Sequence, residues 1–295
     1  MISHRFTLSY VRLVFAVIAR RQSYNLSLQF KRLLPLIKPR PEAVLTIAPP
    51  AFLLCGFTLF KMSEVEQLKR EVDSLHVSGD HDKAYELLLP HQDTNDAELL
   101  WRLARVTFKR CEFGPKPQKE AGLAKGIAYL DRAVECGGDT LGDVHKWYGI
   151  LIGSKADHPT TKDKIKDGFL IKQHVQRAIE LMPTDPINFH VLGNWCFEVA
   201  GTPWYVRKAG QLIFSEIPTA TYEEALENFL KAEEVRPNYY SRNFLMIAKT
   251  LIELKRNDDA VSYLHRARDY TPKASPDDEE VSKEAIQLLE KLGAL

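Results

Sequence analysis

The chain has 295 residues, of which 45% are hydrophobic and 27% are charged, and its formal net charge is +1. This composition supports a packed core and excludes an intrinsically disordered chain. The charge is unevenly distributed, because the stretch ending at Lys61 holds nine Lys or Arg and a single acidic residue, whereas the remainder holds 31 basic and 38 acidic residues. The acidic remainder argues against nucleic acid as a partner. We therefore predict two units, residues 1–62 and 63–295.

The four cysteines lie far apart in the chain. Cys55, Cys111, Cys136 and Cys196 form no C-x-x-C pair and have no histidine nearby at ligand spacing. They indicate neither a zinc site nor a disulfide framework, so we expect no metal and no cofactor. Free thiols are typical of a reducing compartment.

Residues 1–38 contain no acidic side chain, and arginines alternate there with apolar and hydroxyl residues. This composition is typical of a mitochondrial targeting peptide. A helix over this stretch would gather Leu8, Phe15 and Ile18 on one side, and could lie on an anionic membrane surface. A disordered basic tail is the alternative that the sequence leaves open.

An uncharged hydrophobic stretch follows, from Ala43 to Phe60. Its length is close to the roughly 18 residues that one bilayer crossing needs. Pro49 and Pro50 stand in the middle of the run, where each removes a backbone donor and would break a helix. The stretch is therefore either a membrane anchor or a hydrophobic segment that does not span.

Beyond Ser63, apolar residues recur at helical spacing, and the last copy follows the 34-residue tetratricopeptide pattern. Large and small residues alternate in that pattern so that two antiparallel helices can nest. Its first helix carries Phe244, Ala248 and Leu251, its second helix carries Ala260, Leu264 and Ala267, and Pro272 follows. We predict an all-α, tetratricopeptide-like helical solenoid that presents a concave groove to ligands.

Earlier copies of the pattern are interrupted by insertions. Phe189 and Gly193 pair with Ala225 and Phe229 only if about twenty residues, roughly 201–218, are inserted between the two helices. Two other connections are expected to be extended, near residues 154–163 and 114–120. At the two ends, residues 64–90 are predicted to form a helix pair with a turn at Gly79, and residues 277–292 to form a capping helix.

Several motifs resemble the regulator of microtubule dynamics family. They are HKWYGILIG, the PWY of the insertion, TYEEAL and PNYYSRN, and the resemblance extends over residues 64–289. It implies a helical-repeat protein associated with microtubules and spindle poles. Some relatives are mitochondrial or lie at contacts between mitochondria and endoplasmic reticulum, and one membrane-anchored relative binds phospholipid through its repeat domain.

The resemblance and the repeat together predict a non-enzymatic scaffold that associates with microtubules and the spindle and regulates microtubule dynamics. We expect it in the cytoplasm and on the cytoskeleton, with attachment to mitochondria or another membrane through residues 1–62. The alternative is a membrane-contact-site tether whose repeat domain binds or transfers phospholipid. The sequence contains no phosphate-binding loop, nucleophile elbow or metal-binding histidine pair.

Candidate partner-binding residues lie mainly in the insertion and in a basic stretch before it. Solenoid insertions often lie on the binding face, and aromatic and basic side chains together could meet an acidic partner or a lipid headgroup. Lysines of the basic stretch would supply the local positive patch that an acidic body needs to attract tubulin. The competing explanations are core packing for the aromatic residues and a solvated helix face for the lysines. The predicted set is Trp147, Trp195, Trp204, Tyr205, Arg207, Lys208, Lys164, Lys166 and Lys172.

Overall fold

The computed structural model describes residues 49–155, 160–214, 216–271 and 276–295. Side chains are described from Glu64 onward, except those of residues 209, 213 and 276. The chain divides into two compact units, residues 1–63 and 64–295.

The predicted targeting segment lies outside the described residues, and only the backbone of residues 49–60 is described in the predicted anchor. None of the helices in the described ranges combines the length and the hydropathy needed to cross a bilayer.

The described residues form twelve α-helices and no β-strand. In chain order the helices are α1 (Pro49–Ser78), α2 (His81–Leu88), α3 (Ala97–Lys109), α4 (Lys116–Glu135), α5 (Gly142–Gly153), α6 (Thr161–Leu181), α7 (Pro186–Ala200), α8 (Trp204–Ile213), α9 (Tyr222–Val235), α10 (Ser241–Glu253), α11 (Asn257–Arg268) and α12 (Pro276–Leu292). Short 3-10 helices occupy Leu89–His91 and Gly138–Thr140. The all-α prediction is confirmed.

Helices pair in the order that the repeat pattern predicts. Helix α3 packs against α4, α5 against α6, and α10 against α11, while α12 contacts both α10 and α11. Helix α7 packs against α9, although α8 stands between them in the chain. The inserted residues therefore leave the α7–α9 pair intact, and the capping helix forms as predicted.

Helix starts follow from short polar side chains in the sequence. The residues before α2, α3, α6, α7 and α9 each accept a hydrogen bond from a backbone N–H in the first turn of the helix; they are Asp80, Asp96, Thr160, Asp185 and Thr221. Thr221 also donates its backbone N–H to the Glu224 carboxylate at 2.7 Å, which completes a capping box. This box fixes where α9 begins after the insertion.

The turn between α1 and α2 forms as predicted, with Gly79 in the left-handed region at φ +80°. Ala84 and Leu88 of α2 are fully buried, as the pattern predicts. The prediction of an extended connection over residues 114–120 is wrong, because α4 begins at Lys116. Pro115 precedes the first helical residue and Pro117 stands in the first turn. Backbone N–H groups in the first turn have no acceptor within the helix, so proline, which lacks an N–H, loses no hydrogen bond there.

The close approach of α7 and α9 requires glycine at position 193. A Cβ placed there would lie 2.7 Å from the Phe229 ring, nearer than Cβ atoms are found in proteins. The interior consists of two clusters of buried apolar side chains, one centred on α3 and the other on α9 and α10. Ile171 of α6 packs against both clusters, so α6 connects the first repeats to the last.

Candidate functional site

The insertion carries a helix, α8, that lies against the first half of α6. A Cβ on the buried Gly210 would stand 3.3 Å from Ile217 and 3.9 Å from Ile165 of α6. At the end of the insertion, Pro218 contacts the backbone of α6, because a Cβ on Gly168 would be 3.1 Å from the proline ring. Helix α8 is therefore held on α6 by the close approach at Gly210 and by Pro218 at the end of the insertion.

The outward face of α8 is aromatic and apolar. Trp204 is 69% exposed, Tyr205 60% and Leu212 84%. Helical periodicity places these three side chains and Lys208 on the side opposite Gly210. The two aromatic rings meet edge to face, with centroids 6.2 Å apart.

Exposed basic side chains lie on α8 and on the supporting helix α6. Arg207 and Lys208 of α8 are exposed, as are Lys162, Lys164 and Lys166 of the supporting helix α6. Among the described residues none of the five forms an ion pair. The acidic side chains within the same part of α6 are engaged locally, since Asp163 accepts from Thr160 and Asp167 pairs with Lys155 at 2.9 Å. The patch is therefore locally positive on an acidic body.

Trp195 and Lys172 lie together at a cavity between α6, α7 and α9. Trp195 is only 6% exposed and donates its indole N–H to the Gly168 carbonyl at 2.7 Å. The Lys172 ammonium lies 5.0 Å from the centre of the indole ring, a cation–π contact. The cavity has a volume of about 690 Å³. Its apolar walls include Phe189 and Leu192, and its charged lining residues include Glu224, Glu227, Lys231 and Glu234.

Trp147 belongs to the core. It is 6% exposed, packs in the cluster centred on α3 and meets the His76 ring edge to face at 6.2 Å. Packing accounts for this tryptophan, and it offers a partner almost no surface. Of the nine predicted residues, six thus lie exposed on α6 or α8, two lie at the cavity and one lies in the core.

Sequence reasoning missed Leu212, the most exposed apolar side chain of α8. The insertion was interpreted as a connection, so its helical periodicity was not considered. The signal is present, because Leu212 follows Trp204 by eight residues and Tyr205 by seven, and both spacings place side chains on one helical face.

Three histidines form buried hydrogen-bond networks. His145 donates Nε2–H to the Asp139 carbonyl at 2.9 Å, so its Nδ1 accepts from His174 Nδ1 at 2.8 Å. His190 donates Nδ1–H to Asn243 at 2.9 Å and accepts from Asn194 at Nε2. The contact between the two Nδ1 atoms requires that at least one of those rings accepts, and the bonds made by His190 fit a neutral ring. Within the described ranges, no three His, Cys, Asp or Glu side chains are close enough to hold a metal ion.

Acid should destabilise the repeat unit through His174 and His190. Burial lowers the pKa of His190 from 6.5 to about 4, and burial followed by the nearby His145 lowers the pKa of His174 to about 4. Their stabilising contribution is complete above pH 6.5 and is lost as the pH falls towards 4. We expect His190 alone to cost about 2 kcal/mol at pH 5.

Urea unfolding at pH 7, 6 and 5 measures this loss. His190→Gln should make the profile less steep, and the slope that remains is assigned to His174 and to His76, whose pKa burial lowers to about 3. Equal stability of the unaltered protein at pH 7 and pH 5 would contradict the prediction.

Most of the repeat unit matches a known protein family. The family described as regulator of microtubule dynamics protein 1-3 matches residues 68–293. The chain belongs to this family. The matched range contains α6, α8 and the cavity, and residues 1–67 lie outside it.

Three relatives illustrate the match. The chain is 38% identical over 231 residues to regulator of microtubule dynamics protein 1 of Bos taurus, covering 78% of this chain and 72% of the relative. It is 32% identical to protein 3 of Xenopus laevis, covering 77% and 50%, and 31% identical to protein 2 of Homo sapiens, covering 77% and 56%. The resemblance noted from the motifs is confirmed.

A solved structure supports the fold. A tetratricopeptide protein of Thermus thermophilus, TTC0263, superposes with a TM-score of 0.51 at 15% identity, covering 76% of this chain and 98% of that chain. At this identity the likeness concerns the fold alone, and it confirms the tetratricopeptide prediction.

Proposed function

We propose that this member of the family is a non-enzymatic scaffold that associates with microtubules and the spindle and regulates microtubule dynamics. Family membership is the observation that supports the proposal most, since its relatives are named as regulators of microtubule dynamics. The tetratricopeptide fold also favours it, because stacked helix pairs present extended surfaces to protein partners.

The contact with microtubules is assigned to the exposed lysines of α6. Lys162, Lys164 and Lys166 have no ion-pair partner within the described ranges, so their charge is available to an acidic surface such as that of tubulin. A local patch has to supply the attraction, because the body beyond Lys61 holds 31 basic and 38 acidic residues. Attraction between exposed charges is screened by salt, so the contact should weaken as ionic strength rises.

Residues 1–62 are proposed to attach this scaffold to a mitochondrion or another membrane. Their acid-poor, arginine-containing composition and the uncharged stretch over residues 43–60 support the assignment. Residues 63–295 would then face the cytoplasm and the cytoskeleton.

Microtubule co-sedimentation at two salt concentrations tests the proposal. In the full chain, Lys164→Glu with Lys166→Glu should weaken binding about tenfold, or about 1.4 kcal/mol. The matched control is Lys283→Glu with Lys291→Glu, which makes the same change of charge at exposed positions of α12 and should leave binding unchanged. Equal binding by both pairs would contradict the assignment to α6.

A truncated chain that begins at Ser63 locates the activity. Retained binding would support the repeat unit as the microtubule contact, and lost binding would assign it to the basic N-terminal residues. If neither the full nor the truncated chain binds, the scaffold proposal fails.

The second candidate is a membrane-contact-site tether with a phospholipid-binding repeat domain. The cavity between α6, α7 and α9 favours it on the side of α7, where Phe189, Leu192 and Trp195 are apolar lining residues and Lys172 could meet a lipid phosphate, whereas glutamates line the side of α9. Absence of microtubule binding in both chains would favour this function.

A further inference from the structure

Helix α8 contributes little to the core of the repeat unit. Of its described residues only Gly210 is buried, and α7 and α9 pack directly against each other without it. Its large apolar side chains, Trp204, Tyr205 and Leu212, face solvent instead. Removing apolar surface from water is favourable, so covering this face with an apolar medium lowers the free energy.

The chemistry of the face indicates what covers it. Tryptophan and tyrosine favour the boundary between hydrocarbon and water, because each combines an apolar ring with a polar group. Arg207 and Lys208 lie on the same helix, and Lys164 and Lys166 lie exposed on the helix beneath it. An apolar face flanked by unpaired basic side chains is the pattern of a helix that lies in the interface of an anionic bilayer.

An acidic protein surface fits these observations less well. Charge pairing alone would not require three large exposed apolar side chains on one face. A protein partner would need a pocket complementary in shape to Trp204 or Leu212, whereas a bilayer covers a protruding side chain of any shape. A helix of ten residues, about 15 Å long, can lie flat on such a surface.

We propose that α8 is a peripheral membrane contact that holds the repeat unit on an anionic bilayer. Trp204, Tyr205 and Leu212 enter the headgroup region, and Arg207 and Lys208 pair with lipid phosphates. This contact is independent of residues 1–62 and goes beyond the microtubule function. It would give the scaffold a second attachment point and would set which face of the repeat unit lies on the membrane.

The four tryptophans allow α8 to be observed separately in the full chain. Trp101, Trp147 and Trp195 are buried, and residues 1–62 contain no tryptophan. Fluorescence that acrylamide can quench therefore comes mainly from Trp204. Membrane binding by the N-terminal segment alone leaves Trp204 in water and does not change its quenching.

The experiment measures acrylamide quenching of the full chain with vesicles of phosphatidylcholine and phosphatidylserine. We expect a several-fold fall in the quenching constant and a blue shift of the emission, both much weaker with phosphatidylcholine alone. Leu212→Ser and Arg207→Glu with Lys208→Glu should each abolish this protection. Val77→Ser, which also replaces an exposed apolar side chain but at the end of α1, should retain it.

Two outcomes would overturn the proposal. Quenching that is unchanged by anionic vesicles would mean that α8 stays in water. Protection of Trp204 by polymerised tubulin but not by vesicles would identify an acidic protein surface as its partner. Co-sedimentation of Leu212→Ser with microtubules separates the two functions. This variant keeps every lysine of α6, so it should bind tubulin normally even though it no longer binds the membrane.

Discussion

Replacing Phe229 by alanine should lower the free energy of unfolding of the repeat unit by about 3–5 kcal/mol, as expected for deleting a fully buried phenylalanine. The ring fills the space that Gly193 leaves on α7, and a Cβ on Gly193 would lie 2.7 Å from it. It also packs beside His190, with ring centres 5.5 Å apart. Removing the ring leaves a cavity between α7 and α9.

Collapse of that cavity is resisted by the backbone around it. The Phe229 carbonyl accepts a hydrogen bond from Asn243 at 3.0 Å, and Asn243 in turn binds His190. Movement of α9 into the empty space would disrupt these buried bonds, which cost free energy when left unmade.

Urea denaturation of Phe229→Ala against the unaltered protein measures the loss. Phe113→Ala is the matched control, because Phe113 is 63% exposed and its truncation should change stability by less than about 0.5 kcal/mol. A loss below about 1 kcal/mol for Phe229→Ala would mean that the α7–α9 contact is not close-packed.

Replacing Asp73 by alanine should cost about 2–4 kcal/mol, because it leaves buried arginine charge without its partner. The Asp73 carboxylate of α1 binds Arg102 and Arg105 of α3, each at 2.7 Å. Both arginine side chains are almost fully buried. Burial raises the pKa of Asp73, but hydrogen bonds from the two arginines outweigh it and hold that pKa below its usual value.

Removal of the Asp73 carboxylate should affect Arg105 more than Arg102. Arg102 keeps a second carboxylate, Glu98, at 2.6 Å, whereas Asp73 is the only carboxylate with which Arg105 forms an ion pair within the described ranges. Burial also lowers the pKa of Arg105, as expected for a guanidinium whose charged form is poorly solvated. Asp73 therefore stabilises the contact between α1 and α3 mainly by compensating the buried charge of Arg105.

Asp82→Ala is the matched control. Asp82 also forms an ion pair with an arginine, Arg110, at 2.6 Å, but its side chain is 79% exposed, so the pair should contribute less than about 1 kcal/mol. Denaturant unfolding of the two variants compares a carboxylate that pairs with buried arginines with one that pairs with an exposed arginine. Equal losses would show that burial does not determine what an arginine pair contributes here.

Much of the fold could be predicted because its determinants are local. The spacing of Ala84 and Leu88 identified the packing face of α2, and the spacing of Gly193 and Phe229 identified a helix pair across an insertion. Polar caps and periodic apolar residues act within one or two turns, so a single sequence shows them directly. The start of α4 was missed because residues 114–120 were interpreted as an extended connection, whereas most of them form the first turns of the helix, where proline is favoured.

The candidate site could be predicted only in part. The residue types and the insertion pointed to the exposed residues of α6 and α8, and the motifs pointed to the family. The sequence did not distinguish Trp147, which is 6% exposed, from Trp204, which is 69% exposed. It also did not show that Trp195 and Lys172 meet at a cavity.

The sequence by itself determined the repeat, the position of the insertion, the capping helix and the family. Only the tertiary structure decided which aromatic side chains are covered, that Asp73 forms ion pairs with two arginines of α3, and that α8 lies on α6 with an apolar face outward. The physical reason is that exposure and charge pairing depend on neighbours distant in the chain. Arg105 and Asp73 stand 32 residues apart, and His190 and Asn243 stand 53 apart. Helical periodicity places a side chain on a face, but the packing of other helices decides whether that face meets protein or solvent.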